Sequence, residues 1–284
     1  MTEVLGILGP GVLGLSLAQW AAEQGLQVRL MGRDRAHAER GLIELNHRWE
    51  VLTRKGKVLP EARETFTHRV RPLAPGQWED CTALLEATPE DPHLKARVWE
   101  SLRGNLPPHL LCLTGSSALP VGTLARAAGL EGRLLGFHLF VPVRSMRVVE
   151  LVAPSDNASE PIARARSLAE RLGLRVAQVR DGAGYAAARM SLALGLEAIR
   201  LLEEGVASAE DLDVLMKLGY GHPRGPLELS DQVGLDLRLA IADRLREAHG
   251  DRFEAPELLR RRVGQGMLGQ KTGQGLQAQL PEKP

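Results

Sequence analysis

The chain has 284 residues, enough for one large or two ordinary domains. Its 36 basic and 35 acidic side chains nearly cancel, so it lacks the concentrated positive charge that binds nucleic acid or an anionic membrane surface. The two cysteines, Cys81 and Cys112, belong to no Cys-x-x-Cys or Cys/His motif, which argues against a disulfide framework and a metal site. We expect a cytoplasmic protein that acts on a small molecule, with no nucleic-acid or membrane partner.

The first predicted element is a short apolar strand, residues 4–8, that leads through a glycine turn into a helix. The turn reads Gly9-Pro10-Gly11-Val12-Leu13-Gly14. Gly9 suits a tight turn, Gly11 the close approach of a pyrophosphate, and Gly14 the packing of the helix against its strand. We expect the N–H groups of the first helical turn, including Val12 and Leu13, to face the phosphates of a dinucleotide.

The second predicted strand, residues 28–31, ends at Gly32, Arg33 and Asp34. In the simple dinucleotide-binding fingerprint, an acidic residue at this strand end accepts a hydrogen bond from the adenosine ribose. Gly32 instead leaves room for a 2′-phosphate, and the Arg33 guanidinium can pair with one, so both NAD and NADP stay open. In the alternative, Asp34 turns back to the ribose and Arg33 is a solvated turn residue.

The rest of the first half alternates strand-like and helix-like patterns, which indicates a doubly wound parallel sheet covered by helices. A charged helix is predicted from Arg35 to Lys57. Further strands are predicted at residues 83–87, 110–113, 134–137, 148–152 and 175–179.

From Asp181 onward only helical patterns remain, at residues 186–204, 208–218 and 235–248. The fold class is therefore α/β followed by all-α. We expect a Rossmann-type NAD(P)-binding domain over residues 1–180 and a helical domain over residues 181–284. Residues 279–284 are expected to form a loose tail.

Four separated segments carry most of the polar residues suited to chemistry. Two are Glu86-Ala87-Thr88-Pro89-Glu90 with Lys95, and residues 136–143 with Met146 and Val149-Glu150; the others are residues 218–229 and 268–275. In type and order they resemble the signatures of the L-3-hydroxyacyl-CoA dehydrogenase family over essentially the whole chain. The resemblance implies an oxidoreductase that interconverts a 3-hydroxyacyl-CoA and a 3-oxoacyl-CoA with NAD or NADP.

A histidine and a glutamate are the candidate catalytic pair. Oxidation of a secondary alcohol needs a base for the hydroxyl proton, and imidazole titrates near neutral pH. His138 is predicted just after an apolar strand, at the edge where ligands of open α/β sheets bind. Glu150, on the next strand, can accept the second ring N–H and fix the tautomer. In the family that this chain resembles, these two positions form the catalytic pair.

Two serines follow the strand at residues 110–113. The family has a serine here that binds the reacting oxygen; ungapped alignment matches it to Ser117, with Ser116 as the fallback. Either serine can instead cap the helix that begins near residue 119. Glu90 and Lys95 match family positions near the nicotinamide and its ribose, although Glu90 also suits the first turn of a helix.

The chain departs from the family pattern at three asparagine positions, which hold Gly115, Val141 and Ala188. Losing one oriented donor typically raises the barrier by about 2.7 to 4 kcal/mol if nothing replaces it. The departures therefore favour either a different substrate or a slow enzyme.

The resemblance also implies partners. Arg54, Lys55 and Lys57 resemble the basic segment that meets the CoA phosphates, although three cations at a helix end are also typical of a solvated surface. The helical domain resembles the family's dimerisation unit, which implies a homodimer. Two rival interpretations remain: a dehydrogenase of a small hydroxy acid without CoA, and a dinucleotide-binding protein with little turnover.

Overall fold

The computed structural model describes residues 3–277 of the protein. Within this range the chain folds into two compact units, of which the first ends at Gly182 and the second begins at Ala183. Each unit buries its own hydrophobic core. The tail predicted for residues 279–284 lies outside the described residues.

A sheet of eight strands forms the centre of the first unit. The strands are β1 (Val4–Leu8), β2 (Gln27–Met31), β3 (Val70–Leu73), β4 (Ala83–Glu86), β5 (Leu111–Thr114), β6 (Leu134–Leu139), β7 (Val148–Ala153) and β8 (Arg175–Arg180). They are ordered β3-β2-β1-β4-β5-β6-β7-β8, so the strand order reverses between β1 and β4. The strands β1, β4, β5 and β6 are buried at every position, as expected for strands covered on both faces.

The seven predicted strands are confirmed with ends shifted by at most two residues, but the prediction of the sheet was wrong in two respects. It missed β3, an edge strand whose Arg71 and Pro72 interrupt the apolar pattern. The sheet is also not fully parallel, because β6 and β7 run antiparallel. The connection between Leu139 and Val148 is shorter than the roughly dozen residues that a parallel crossover needs.

Seven helices complete the first unit. They are α1 (Val12–Glu23), α2 (Arg35–Arg54), α3 (Pro60–Arg69), α4 (Pro92–Arg103), α5 (Val121–Ala128), α6 (Val143–Met146) and α7 (Ser159–Arg171). The long charged helix predicted from Arg35 is confirmed as α2. It ends early because Gly56 adopts a left-handed conformation with φ +65°, while the Lys57 N–H donates to the Leu52 carbonyl at 2.9 Å.

The second unit is helical, as predicted. Its helices are α8 (Ala187–Glu203), α9 (Ala209–Val214), α10 (Pro226–Val233), α11 (Leu235–His249) and α12 (Glu257–Gly264), with a π-helical turn at Leu215–Gly219 and a 3-10 turn at Asp251–Phe253. Between residues 183 and 277, β-structure is limited to one isolated bridge between Gly269 and Gln274. No helix within residues 3–277 is both long and apolar enough to cross a lipid bilayer.

Two buried aspartates organise the last two sequence segments noted above. Asp213 accepts hydrogen bonds from the Leu227 and Glu228 N–H groups at 2.9 and 2.8 Å, at the start of α10. Asp231 is 1% exposed, and its backbone carbonyl accepts from the Gln270 N–H at 2.9 Å within the last segment. Its carboxylate accepts from the N–H groups of Leu276 and Gln277 at 2.9 and 3.1 Å, directly after that segment. Burial raises the pKa of both aspartates, although these hydrogen bonds oppose the shift. Both segments therefore have a structural role in this unit.

Replacing Asp231 with alanine should destabilise the second unit, because two N–H groups lose their buried acceptor. We expect the free energy of unfolding to fall by about 1–3 kcal/mol in urea denaturation. Asp236→Ala is the matched control, because the half-buried Asp236 loses an ion pair with Lys271 at the surface, worth about 0–1 kcal/mol, and a backbone hydrogen bond from Leu237 in the first turn of α11, so it should lose less stability than Asp231→Ala. Equal stability of the two variants would contradict the structural role of Asp231.

Candidate active site

The carboxyl ends of four neighbouring strands lie along one edge of the sheet. Leu8 of β1 pairs with Glu86 of β4, Glu86 with Thr114 of β5, and Thr114 with Gly136 of β6. The turns that leave β1, β4 and β5 therefore start side by side, next to the reversal of strand order, while β6 continues three residues past this line. In open α/β sheets, ligands bind at such an edge.

The glycine turn between β1 and α1 has the geometry that the sequence predicts. Gly9 has φ +111°, and a Cβ there would lie 2.6 Å from the Ala87 carbonyl oxygen. A Cβ at Gly14 would lie 1.9 Å from the Gly9 carbonyl oxygen, so the helix packs directly on the turn. At Gly11 a Cβ would meet no atom within 4 Å, which leaves open space beside the turn.

The start of α1 suits a phosphate group. Gly11 is its N-cap and supplies no side-chain acceptor, so the first N–H groups of the helix keep their capacity to bind an anion. Val12 is 71% exposed, whereas Leu13 is half-buried. The open space at Gly11 and the uncapped helix start together fit the pyrophosphate of a dinucleotide.

A cavity of about 840 Å³ extends from this turn. It is lined by the glycine turn, by Gly32, Arg33 and His37 after β2, by the turn after β4, and by one face of α4. Its volume is within the range of sites that bind small molecules and cofactors. The side of the cavity next to β2 is where the adenosine part of a dinucleotide binds in this fold.

A carboxylate and an ammonium group are enclosed at the end of β4. Glu86 is 0% exposed and Lys95 of α4 is 1% exposed; the Lys95 Nζ donates to Glu86 Oε1 at 2.8 Å and to the Thr88 carbonyl at 3.0 Å. Glu86 also accepts hydrogen bonds from the Thr88 N–H at 2.6 Å and from the Thr114 hydroxyl at 2.7 Å. This network ties the turn after β4 to the end of β5.

Glu90 continues the network to the two serines. Its Oε1 accepts from the Ser116 hydroxyl at 2.6 Å and from the Ser117 and Ala118 N–H groups at 2.8 and 3.1 Å. Burial opposes ionisation of Glu90, but the Lys95 ammonium and these hydrogen bonds outweigh it and lower the pKa of Glu90. Glu90 thus remains a carboxylate that fixes the turn after β5.

The two predicted serines differ in exposure. Ser116 is 0% exposed, and besides donating to Glu90 its hydroxyl accepts from the Leu119 N–H at 3.0 Å. Ser117 is only half-buried, and its hydroxyl lies 3.3 Å from Glu90 Oε1. Ser116 therefore has a structural role in the turn, and Ser117 carries the more accessible hydroxyl.

His138 and Glu150 face each other across the antiparallel pair. They are directly opposed in the register of β6 and β7, and His138 Nδ1 lies 2.6 Å from Glu150 Oε2. Both are largely buried, at 8% and 3% exposure. His138 lies inside β6, one residue before its end, rather than after the strand as predicted. A short hydrogen bond between buried groups holds the imidazole in one orientation.

The segment that follows β6 is anchored to α1. The Val143 N–H donates to the Ser16 hydroxyl at 3.0 Å, and the Arg144 guanidinium pairs with Glu23 at 3.2 Å. The Phe140 ring lies 4.7 Å from the imidazole of His138, centroid to centroid. These contacts link the histidine to the helix that starts at the glycine turn.

Comparison with known proteins decides the family. Residues 4–182 match the NAD-binding domain of 3-hydroxyacyl-CoA dehydrogenase, and residues 184–279 match its C-terminal domain. The chain belongs to the 3-hydroxyacyl-CoA dehydrogenase family. The family resemblance inferred from the four sequence segments is thereby confirmed.

Relatives match along almost their whole length. A probable 3-hydroxybutyryl-CoA dehydrogenase of Deinococcus radiodurans is 33% identical, over 95% of this chain and 98% of that protein. Another from Bacillus subtilis is 32% identical, over 95% and 94%. The crystal structure of (S)-3-hydroxybutyryl-CoA dehydrogenase from Ralstonia eutropha is 28% identical with a TM-score of 0.94, covering 99% of this chain and 100% of that one.

The remaining predicted residues differ in exposure and packing. Lys55 and Lys57 are exposed just beyond the end of α2. Gly115 is tightly packed, because a Cβ there would lie 2.6 Å from Leu13 Cδ2. Val141 is 43% exposed, and Ala188 is half-buried in α8 of the second unit. Direct contacts of Lys95 and Glu90 with a cofactor stay predictions, because both groups are engaged in the network below the edge.

Sequence reasoning did not assign roles to Glu86, Thr114 and His37. Glu86 could have been noticed because it is a charged residue at the end of an apolar strand. A carboxylate buried there requires a cationic or hydrogen-bonding partner. Lys95, nine residues later on α4, is that partner. No comparable signal marks Thr114 or His37.

Replacing Lys95 with methionine should strongly destabilise the first unit, because it leaves the Glu86 carboxylate buried without its cation. We expect the free energy of unfolding to fall by about 3–5 kcal/mol in urea denaturation. The double variant E86Q/K95M is the control and should recover part of this loss, because the amide oxygen can still accept from the Thr88 N–H while the amide NH2 donates to the Thr114 hydroxyl oxygen. A double variant no more stable than K95M would contradict the pairing.

Proposed function

We propose that this protein interconverts a 3-hydroxyacyl-CoA and a 3-oxoacyl-CoA by hydride transfer with NAD or NADP. The observation that supports this most is the 2.6 Å contact of His138 with Glu150 at the sheet edge that also carries the glycine turn. A dehydrogenase of a secondary alcohol needs this pairing of a proton acceptor with a hydride-accepting nucleotide. Family membership gives the reaction its substrate class.

His138 moves the proton in the proposed reaction. In the oxidative direction its Nε2 takes the hydroxyl proton, while the hydride on C3 of the substrate passes to the nicotinamide, which is the chemistry that the cofactor supplies when bound. Nδ1–H donates to Glu150, which leaves Nε2 as the basic nitrogen and stabilises the imidazolium that forms. In the reductive direction the same proton returns to the alkoxide oxygen.

Ser117 is proposed to bind the reacting oxygen. Its half-buried hydroxyl lies on the turn next to β6, whereas the Ser116 hydroxyl is enclosed. A hydroxyl donor aimed at developing negative charge stabilises the transition state. Glu90 positions this serine through its hydrogen bond to the Ser117 N–H.

The cofactor is proposed to bind along the cavity edge. Gly9, Gly11 and Gly14, with the N–H groups of Val12 and Leu13, would hold the pyrophosphate, and Gly32 and Arg33 would flank the adenosine ribose. Glu90 and Lys95 are proposed to lie near the nicotinamide and its ribose. For the acyl-CoA, the exposed cations Arg54, Lys55 and Lys57 are the proposed partners of the CoA phosphates.

A second candidate is a dehydrogenase of a small hydroxy acid without CoA. The observation that favours it is the loss of three side-chain amides at the family's asparagine positions, now Gly115, Val141 and Ala188. Because a Cβ at Gly115 would clash with Leu13, an asparagine does not fit there without rearrangement. In this candidate the substrate is positioned differently from the family pattern at this point, because Gly115 carries no side-chain amide.

One assay separates the candidates. The purified protein is given acetoacetyl-CoA, acetoacetate or no substrate, and oxidation of NADH or NADPH is followed by absorbance. We expect turnover with acetoacetyl-CoA at a kcat/KM at least about tenfold above that for acetoacetate. A preference for acetoacetate would favour the second candidate. Binding of the nucleotide without turnover of either substrate would indicate the low-activity dinucleotide-binding protein.

The protein is also proposed to form a homodimer through its helical unit. An apolar group around the π-helical turn is strongly exposed there, with Leu215 at 61%, Leu218 at 82% and Tyr220 at 77%. Exposed apolar patches of this kind are typical of protein interfaces. We further propose a cytoplasmic location, because Cys81 and Cys112 are both buried free thiols, which suits a reducing compartment.

The variant Leu218→Asp tests the dimer, because a charge at this exposed position opposes burial in an interface. We expect wild-type protein to be dimeric and L218D to be monomeric in analytical ultracentrifugation. Ile43→Asp, at a position of α2 that is 68% exposed, is the control and should remain dimeric. A monomeric wild type, or a dimeric L218D, would contradict this interface.

A further inference from the structure

We infer that this protein selects the 2′-phosphorylated dinucleotide, NADP(H), and that Arg33 makes the selection. The inference rests on the proposed dinucleotide site and specifies its adenosine end. Three observations after β2 carry it: the lack of space for a side chain at Gly32, the engagement of Asp34 elsewhere, and the position of Arg33 and His37 on the cavity.

Gly32 occupies the position after β2 where an acidic residue usually discriminates against a 2′-phosphate, and there is no space for an acidic side chain there. A Cβ at Gly32 would lie 2.8 Å from the His37 Cβ and 2.9 Å from the Ala38 nitrogen. An acidic residue at the end of β2 selects NAD by accepting from the ribose 2′-hydroxyl and by repelling a phosphate. Because Gly32 lines the cavity without a side chain, neither effect operates at this strand end.

Asp34 does not replace that acidic residue. Its Oδ1 accepts from the His37 N–H at 2.6 Å and so caps the start of α2. Its Oδ2 lies 3.5 Å from the Arg33 Nε. The hydrogen bond from the His37 N–H is the main cause of a lowered pKa of Asp34, to which the charges of Arg33 and Arg40 contribute. Asp34 is not among the described residues that line the cavity.

Arg33 is placed to bind an anion at the same point. Its side chain is 77% exposed and lines the cavity, and its ion pair with the exposed Asp34 carboxylate joins Nε and Oδ2 at 3.5 Å. The terminal nitrogens of a guanidinium suit bidentate binding of a phosphate, which is stronger than its contact with a water-exposed carboxylate. Arg33 therefore can reach a 2′-phosphate without breaking a buried interaction.

His37 adds a second donor beside Arg33. The Arg33 N–H donates to the His37 Nδ1 at 3.4 Å, so in the neutral ring Nδ1 is the acceptor and the proton resides on Nε2. His37 also lines the cavity, and it lies in the first turn of α2, where the helix dipole favours an anion. A 2′-phosphate here would meet a guanidinium, an imidazole N–H and a helix start.

Direct binding measurements test the inference without reference to turnover. Dissociation constants of the purified protein for NADPH and NADH are measured by nucleotide fluorescence, and those for 2′,5′-ADP and 5′-AMP by calorimetry. We expect NADPH and 2′,5′-ADP to bind about 10- to 100-fold more tightly than their counterparts. Arg33→Gln should remove most of that difference, and its thermal unfolding, compared with that of the wild type, checks that the variant is folded.

Arg35→Gln is the matched control, because Arg35 is an exposed arginine two residues away that pairs with Glu39. It should retain the preference for NADPH. Equal or tighter binding of NADH by the wild type, or an unchanged NADPH affinity in R33Q, would overturn the inference. Tight NADPH binding without reduction of acetoacetyl-CoA would instead count against the proposed function alone.

Discussion

The antiparallel pairing of β6 and β7 is the constraint on which the proposed chemistry depends. A connection too short for a crossover forces the chain to turn back beside β6, and the resulting register places Glu150 opposite His138. One more residue in either strand would turn one side chain to the other face of the sheet. The departure from a fully parallel sheet is therefore what creates the histidine–glutamate contact.

A network of buried charged side chains fixes the turns that follow β4 and β5. Glu86 and Lys95 are buried in full and connect β4, β5 and α4, and Glu90 carries the same network to the serine turn. Because an unpaired charge in this environment is costly, removing one member of the network leaves its partner buried without compensation. The reacting oxygen would then meet donors fixed by the sheet edge, while the nucleotide is held by backbone groups of the glycine turn.

Much of this could be predicted from sequence, because local patterns determine it. Apolar runs predicted the central strands, and Gly9, Gly11 and Gly14 predicted the turn, since Gly9 adopts a positive φ, Gly14 packs directly on the turn and Gly11 leaves open space beside it. The sequence analysis missed the edge strand β3 because Arg71 and Pro72 are typical of a loop. It also missed the antiparallel pairing of β6 and β7, because apolar runs predict where strands lie but not in which direction they run. The contact of Glu86 with Thr114 joins residues 28 positions apart that no sequence pattern relates. Asp34 directly before α2 is a typical N-cap residue, and that role went unassigned because Asp34 was considered only as a partner of the ribose.

A double-mutant cycle on the catalytic pair tests the central claim most directly. The kcat for acetoacetyl-CoA reduction is measured for the wild type, His138→Gln, Glu150→Gln and the double variant, with thermal unfolding as a check on folding. Because the two residues act as one unit, each single variant should lose about 10²- to 10⁴-fold and the double variant little more. Near-wild-type activity of E150Q, or losses that multiply in the double variant, would contradict the account.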